Sequence, residues 1–276
     1  MDLGLAGRRA IVTGGSKGLG KAIAAELLAE GAQVAICSRN AAELEATAAE
    51  LRESARAGSA GNRPASNVVA LPCDVTDPAQ VTQFMDAAAS ALEAGGGDGG
   101  IDILVNNAGG ARPGRFDSLT DADWQGDFEV KVLSQIRCTR AALPRLRQSP
   151  APRVININAV YARYPDPAFL ASSVNRASCL SLAKALSIEL GHEGILVNSV
   201  NIGFVTTPQW DNIHRRRAPD TPAEEFFARL AAQEVPLGRF GRPDEVAGIV
   251  AFLAGDRASY ITGASIDVAG GMGKYL

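Results

Sequence analysis

The sequence predicts an α/β fold in which a parallel β-sheet is covered on both faces by helices. Short apolar runs of strand length alternate with alanine-rich amphipathic stretches of helix length along the whole chain. This alternation is typical of a doubly wound sheet, because each crossover between parallel strands needs a connecting helix. A glycine-rich turn between the first predicted strand and the first predicted helix is a second observation in favour of this class.

The predicted elements follow the alternation in order. Strands are expected at 9–13, 33–38, 68–72, 101–106, 153–158, 196–200 and 265–268. Helices are expected at 19–30, 41–56, 78–94, 121–147, 173–190, 223–233 and 243–254, the fourth of them as one long helix. Glycine-rich surface loops are expected at 58–67 and 95–100, and both are too short to link separate domains. We therefore expect residues 1–276 to form a single domain with about seven strands.

Composition narrows the classes of function. The chain has 276 residues, of which 46% are hydrophobic and 21% charged, and its net charge of −3 argues against a nucleic-acid partner. No apolar run is long enough to cross a membrane and the first residues do not resemble a signal peptide, so a cytoplasmic location is expected. The four cysteines form no CxxC pair, which indicates buried thiols and no metal site.

The glycine-rich turn predicts a cofactor site. Residues 13–20 read Thr-Gly-Gly-Ser-Lys-Gly-Leu-Gly, directly after a strand and at the start of a helix. In that position glycine allows close backbone approach, and the helix N-terminus offers free N–H groups to a phosphate. A Rossmann-type dinucleotide site is predicted, and an ordinary tight turn is the alternative. The residues expected to contact the cofactor are Thr13, Gly14, Ser16, Lys17, Gly18, Leu19 and Gly20.

The end of the second strand indicates which dinucleotide binds. A dinucleotide fold places the adenosine ribose there, beside Ser38 and Arg39. An acidic residue would favour a free 2′-hydroxyl, whereas Arg39 would pair with a 2′-phosphate and Lys17 would add a second cation. NADP(H) is therefore predicted over NAD(H). The alternative is that Arg39 is a solvated loop residue.

The chain resembles the short-chain dehydrogenase/reductase superfamily, particularly members like the 3-oxoacyl-carrier-protein reductases. The matching blocks are 13–20, 73–75, 106–109, 153–157, 197–200, 236–242 and 259–271. The resemblance implies a seven-stranded sheet and a homotetramer or homodimer. It also implies that Asp74 and Val75 flank the adenine and that Asn107, Ala108 and Gly109 line the cofactor. Val205 and Thr207, which follow the cofactor-binding residue Gly203, would hold the nicotinamide carboxamide.

The catalytic end departs from that family. Its members use asparagine, serine, tyrosine and lysine, and the family's intervals place Lys131, Ala159, Ser172 and Arg176 at those four positions. Ile202 also replaces the usual proline before Gly203. An aliphatic hydroxyl is a far weaker acid than a phenol, and loss of a general acid costs about 10²- to 10⁴-fold in rate.

Two hypotheses assign new roles to the residues near this site. In the first, Tyr161 is the acid and Lys131 tunes it; alternatively, Tyr161 and Tyr164 only pack at the pocket rim. In the second, Lys131 and Arg176 clamp an anionic group of the substrate; alternatively, Arg176 takes over the contact with the cofactor ribose. The run of arginines at 215–217 is expected either to meet an acyl-carrier protein or coenzyme A phosphates, or to be a solvated basic loop.

Three functions remain open on the sequence. The first is an NADP(H)-dependent oxidoreductase that acts on a carbonyl or hydroxyl substrate with a proton relay built from other residues. The second is a lyase, hydrolase or isomerase on the same scaffold, and the third is a catalytically silent NADP-binding subunit. The expected partner is a small-molecule substrate, with an anionic or acyl-thioester compound as one alternative.

Overall fold

One parallel sheet forms the centre of the molecule. The computed structural model describes residues 1–58, 67–93 and 100–273, so the loops expected at 58–67 and 95–100 fall largely outside it. Seven strands lie in the order β3-β2-β1-β4-β5-β6-β7, and every neighbouring pair is parallel. The strands are β1 Arg9–Thr13, β2 Gln33–Ser38, β3 Val68–Pro72, β4 Ile103–Asn106, β5 Arg153–Ala159, β6 Leu196–Ile202 and β7 Ser265–Val268. The predicted doubly wound α/β class is confirmed.

Helices cover both faces of the sheet. They are α1 Gly18–Ala29, α2 Ala41–Gly58, α3 Pro78–Glu93, α4 Asp121–Phe128, α5 Ser134–Leu146, α6 Leu170–Glu189, α7 Pro208–Arg217, α8 Ala223–Glu234 and α9 Pro243–Ala254. Apolar residues of α1, α2 and α9 form the core on one face, and those of α3, α5 and α6 form it on the other. Successive strand residues supply the two cores alternately: Ala10 and Val12 face one, and Ile11 faces the other.

Strand ends differ from prediction where backbone pairing decides them. β4 begins at Ile103, two residues later than expected, because the ladder with β1 starts at the pair Ala10 and Ile103. β6 runs two residues farther than expected, and its last residue, Ile202, pairs with Ala159 of β5. Isoleucine carries the backbone N–H that a proline lacks, so the ladder can extend to this position.

The helix predicted at 121–147 is not continuous. It is interrupted by a π-helical turn at Glu129–Leu133, after which α5 resumes, and Ser134 N donates to Glu129 O. Lys131 lies at the centre of this turn. A π turn places one extra residue between hydrogen-bonded groups, and the periodicity of apolar residues does not reveal it.

Two more helices differ from expectation. The helix predicted at 173–190 begins earlier, at Leu170, so Ser172 lies in its first turn. α7 was expected only as a loop segment, but Pro208 at the first helical position starts a helix that ends in a run of basic residues. Within the described ranges, no helix has the length and apolar character needed to cross a membrane.

A buried ion pair fixes the start of β4 to β1. One carboxylate oxygen of Asp102 accepts from Arg9 N at 2.8 Å and from Arg9 Nε at 3.2 Å, and the other accepts from Ser149 Oγ at 2.6 Å. The side chains of Arg9 and Asp102 are only 9% and 8% exposed. Removal of one partner would leave a buried charge without compensation.

Asp102→Ala is therefore expected to lower the free energy of unfolding by about 3–5 kcal/mol. Urea denaturation followed by circular dichroism measures this change. Glu45→Ala is the control, since Glu45 pairs with Arg52 at the surface and its loss should cost no more than about 0.5 kcal/mol. Equal effects of the two variants would contradict the role given to Asp102.

Candidate active site

A cleft of about 1320 Å³ runs along the carboxyl ends of the strands. Loops after β1 to β6 and helix α7 line it, as expected for the ligand crevice of an open α/β sheet. The predicted cofactor residues that line the cleft are Gly14, Ser16, Lys17, Gly18, Leu19, Gly20, Ser38, Arg39, Asp74, Val75, Asn107, Ala108, Gly109, Arg176, Gly203, Val205 and Thr207. Segments far apart in sequence thus meet in one cavity.

Thr13 has a different place from the one predicted. Its side chain is buried beneath the cleft wall, and its hydroxyl accepts from the backbone N–H groups of Asn107 and Ala108, both at 3.0 Å. The same hydroxyl donates to Val105 O at 3.4 Å. Thr13 therefore positions the loop after β4 and is not itself part of the lining.

The glycine turn has the geometry that a phosphate needs. Gly14 has a φ of 67°, and a Cβ there would lie 2.9 Å from Ala108 Cα, so a side chain is excluded on both counts. The N-cap residue of α1, Lys17, makes no capping hydrogen bond through its side chain, which leaves N–H groups of the first turn free. These residues fit the phosphates of a dinucleotide.

The cations predicted for a 2′-phosphate differ in their surroundings. Lys17 Nζ donates to Glu43 Oε1 at 2.8 Å, and Ser16 Oγ donates to Glu43 Oε2 at 2.9 Å. These two hydrogen bonds, that of Lys17 first, hold the pKa of Glu43 below its ordinary value. Arg39 is exposed on the cleft wall and makes no ion pair or hydrogen bond with another described residue. Arg39 is thus available to bind an anion, whereas Lys17 and Ser16 must first break their hydrogen bonds to Glu43.

Lys131 and Ser172, two of the predicted catalytic residues, lie in a buried polar cluster. Lys131 Nζ donates to Ser172 Oγ at 2.9 Å and forms an ion pair with Asp127. Asn175 Nδ2 donates to the other Asp127 oxygen at 2.9 Å. Lys131, Asp127 and Ser172 are 1%, 2% and 6% exposed, although each lines the cleft. We call these four residues the lysine–serine cluster.

Electrostatic effects within and around the lysine–serine cluster bring the pKa of Lys131 close to neutral pH. Burial, followed by the positive charge of Arg176, lowers the pKa of Lys131 to about 8. Asp127 acts in the opposite direction and keeps the ammonium form from being lost altogether. A lysine with this pKa can give or take a proton close to pH 7, which an ordinary lysine cannot.

Arg176 forms part of the cleft wall near the cluster. Its Nη1 donates to Ile157 O at 2.7 Å, and Asn158 Nδ2 donates to Arg176 O at 3.0 Å. A Cβ on Gly109 would lie 3.2 Å from Arg176 Nη2, so the guanidinium also reaches the loop after β4. Burial lowers the pKa of Arg176, but arginine stays protonated in proteins. Arg176 therefore supplies fixed positive charge.

The surroundings of Tyr161 conflict with the acid role predicted for it. Its ring stacks on Phe169 at 5.4 Å between centroids. Burial, and after it the carboxylate of Asp166, raises the pKa of the phenol, whereas an acid tuned by an ammonium needs a lowered pKa. Lys131 donates to Asp127 and Ser172 instead. The predicted anion clamp of Lys131 and Arg176 would require Lys131 to give up its ion pair with Asp127, and the clamp stays a prediction.

Sequence reasoning missed Asp127 and Asn175. A signal existed for Asp127, because it stands four residues before Lys131 on a predicted helix, the spacing at which an acid and a base pair. Asn175 offered no comparable signal. Among the residues with described positions, no group of three metal-ligating side chains is found.

Comparisons with known proteins agree with this architecture. A family model described as enoyl-(acyl carrier protein) reductase matches residues 14–273. Oxidoreductase UcpA from Salmonella typhimurium is 34% identical over 268 residues, which are 97% of this chain and 95% of that protein. The parallel sheet, glycine turn and cleft define the class of doubly wound α/β oxidoreductases. The chain belongs to the short-chain dehydrogenase/reductase family.

Two solved structures are similar over nearly the full length. L-sorbose reductase from Gluconobacter frateurii, complexed with NADPH and L-sorbose, is 29% identical, with 100% of both chains covered and a TM-score of 0.89. A short-chain oxidoreductase from Pseudomonas aeruginosa PAO1, NADPH-bound and described as containing an atypical catalytic center, is 35% identical. It covers 98% of each chain with a TM-score of 0.85. The predicted cofactor, NADP(H), agrees with what both of these relatives bind.

Glu43→Gln is expected to strengthen binding of 2′,5′-ADP roughly twofold to fivefold. The change removes a carboxylate that would repel the phosphate and releases Lys17 and Ser16 to bind it. Isothermal titration of the purified protein measures the affinity, with Glu45→Gln on the same helix as the control. Unchanged or weaker binding by Glu43→Gln would show that Lys17 and Ser16 do not serve the anion.

Proposed function

We propose that the protein is an NADP(H)-dependent oxidoreductase that interconverts a carbonyl and a hydroxyl group with the lysine–serine cluster as its proton donor. The observation that carries this proposal is the 2.9 Å hydrogen bond from Lys131 Nζ to Ser172 Oγ. It lies in the wall of the same cleft whose strand-end loops fit a dinucleotide. The family's serine, tyrosine and lysine have no counterparts here, and the cluster takes over their proton chemistry.

We assign residues of the cleft wall to each part of the cofactor. The glycine turn holds the pyrophosphate, Arg39 and Lys17 hold the 2′-phosphate, and Arg176 contacts the nicotinamide ribose. NADPH, when bound, supplies the hydride that adds to the carbonyl carbon of the substrate. The remaining requirement is one proton for the carbonyl oxygen, and this chain's own residues must deliver it.

Ser172 and Lys131 deliver that proton in sequence. The Ser172 hydroxyl donates to the carbonyl oxygen and receives a proton from Lys131, to which it is already hydrogen-bonded. The hydroxyl is too weak an acid to act alone, and the ammonium with a pKa of about 8 is the source of the proton. Asp127 and Asn175 hold Lys131 in place. In the oxidative direction the same groups accept the proton.

The reductive rate should fall as pH rises above about 8. Lys131 must carry its proton to act as an acid, so kcat/KM is constant below its pKa and falls about tenfold per pH unit above it. Asp127→Asn removes the group that favours the ammonium form of Lys131, so the fall in kcat/KM should begin at a lower pH. Arg176→Gln removes the opposing charge and should move it to higher pH. NADPH oxidation against ketones, aldehydes and quinones supplies the rates.

Serine variants test the relay directly in the same assay. Ser172→Ala should lower kcat by about 10²- to 10⁴-fold, and Ser172→Thr should restore much of it. Ser173→Ala is the matched control, because the Ser173 hydroxyl donates to Phe169 O and lies off the cleft wall. A pH profile and rate unaffected by these changes would exclude the cluster as the proton donor. Tight NADPH binding without turnover on any substrate would favour a non-redox enzyme or a silent subunit.

Arg39→Gln should weaken NADPH binding roughly tenfold to hundredfold and leave NADH binding unchanged, because only NADPH carries the 2′-phosphate. Fluorescence titration with both nucleotides gives the two affinities. Arg140→Gln removes the same charge at another exposed position and should change neither. Equal weakening of both nucleotides by Arg39→Gln would assign Arg39 a role other than recognition of the 2′-phosphate.

Assembly and location complete the proposal. We infer a homotetramer or homodimer built from residues 1–276 as one domain, and the support is apolar surface on α4 and α6. Phe128, Val174 and Ile188 are 39%, 49% and 73% exposed there. A cytoplasmic location is supported by the four buried cysteines, which are all free thiols.

A further inference from the structure

We propose that the substrate carries an oxyanion, a carboxylate or a phosphate, which Arg217 binds at the mouth of the cleft with help from Arg216. This inference rests on the proposed carbonyl chemistry and names the class of substrate for that same site. It is an alternative to the clamp of Lys131 and Arg176 that the sequence predicted. The argument starts from the orientation of α7.

Helix α7 packs against the rest of the molecule through its apolar side. Trp210 and Ile213 are buried in a cluster with Phe204 and Phe226, and both also line the cleft. Arg217 stands four residues after Ile213 and seven after Trp210, so all three lie on one face of the helix. The face that packs inward therefore ends in an arginine.

Phe169 sets the position of the Arg217 guanidinium. The guanidinium carbon lies 5.3 Å from the centroid of the Phe169 ring, within the range of a cation–π interaction. Contact with the flat ring leaves the N–H groups at the edge of the guanidinium available for a planar oxyanion. Phe169 is three residues before Ser172, so the anion anchor and the proton donor are joined by one turn of chain.

The other cations on this side of the cleft already have partners. Arg112 Nη1 donates to Asp123 at 2.7 Å, and Lys131 is paired with Asp127. Arg216 and Arg217 line the cleft and form no ion pair with any carboxylate of the described residues. Asp166 and Glu234 act on the nearby Tyr161 but do not pair with either arginine. The mouth thus carries two arginines without an ion-pair partner among the described residues, and they can attract an anionic ligand.

Stability of the helix does not explain this arrangement. Basic residues in a last turn do favour the helix dipole, and Arg215 and His214 serve that purpose as well as any. That effect needs no particular side-chain direction. It does not account for a guanidinium placed over a cleft-lining ring at the end of the inward face.

The test compares aldehydes that differ only in charge. The NADPH-loaded protein is assayed with 4-carboxybenzaldehyde and its methyl ester, and with glyceraldehyde 3-phosphate and glyceraldehyde, which separates carboxylate from phosphate. We expect the wild type to favour one charged aldehyde over its neutral partner. Arg217→Gln should lower that ratio of kcat/KM values roughly tenfold to hundredfold, mainly through KM. Arg229→Gln, an exposed arginine of α8 away from the cleft, should leave the ratio unchanged.

A wild type without preference for charge, or an Arg217→Gln ratio equal to that of the wild type, overturns the inference. If none of the aldehydes is reduced, the wider panel of ketones, aldehydes and quinones decides the proposed function, and binding decides the inference. Tryptophan fluorescence, to which Trp210 on the cleft wall and Trp124 both contribute, then reports saturation by benzoate, methyl benzoate and inorganic phosphate in the same variants. Saturable anion binding that Arg217→Gln weakens supports the inference, and equal binding by all variants overturns it.

Discussion

The buried positive charge of Lys131 is the constraint on which the catalytic half of the molecule depends. A charge taken out of water is costly unless it is paired and hydrogen-bonded. Here Asp127 supplies the opposite charge and Ser172 a hydrogen-bond acceptor, while Asn175 donates to the free oxygen of Asp127. Helices α4 and α6 and the π turn between α4 and α5 have to come together in one arrangement for these bonds to form. The geometry of the site thus follows from the need to pair and hydrogen-bond the buried Lys131 ammonium.

The same arrangement makes an unusual choice of residues chemically coherent. In the proposed mechanism Lys131 is the group that titrates, because Arg176, the other cation near the cluster, cannot give up a proton. Burial and the positive charge of Arg176 together lower the pKa of Lys131, so this lysine can exchange a proton near neutral pH. Ser172 then has only to pass a proton onward.

Sequence alone could predict the cofactor half better than the catalytic half, and the reason is physical. The glycine turn and Arg39 are short segments at strand ends, and a parallel sheet brings all strand ends to one edge. The contact between Lys131 and Ser172 joins residues 41 apart, and it depends on a π turn and an early helix start that leave no mark in apolar periodicity. Tyr161 was the natural candidate because its phenol is the stronger acid, but the burial that raises its pKa is a tertiary effect. Helix α7 was not predicted because its many basic residues obscure the apolar pattern of a helix. The helix depends on the packing of Trp210 and Ile213.

The energetics of the lysine–serine cluster argue that it is kept for chemistry. A buried ion pair is on average no more stabilising than well-packed apolar residues of the same volume. A subunit that only bound a nucleotide would need neither a lysine inside a π turn nor a hydroxyl within 2.9 Å of it. Lys131 and Ser172 also line the cleft, as groups that act on a substrate must. The Lys131 ammonium has a pKa close to neutral pH and is hydrogen-bonded to a hydroxyl on the cleft wall. An enzyme needs such a pair to protonate an oxygen as a hydride reaches the adjacent carbon.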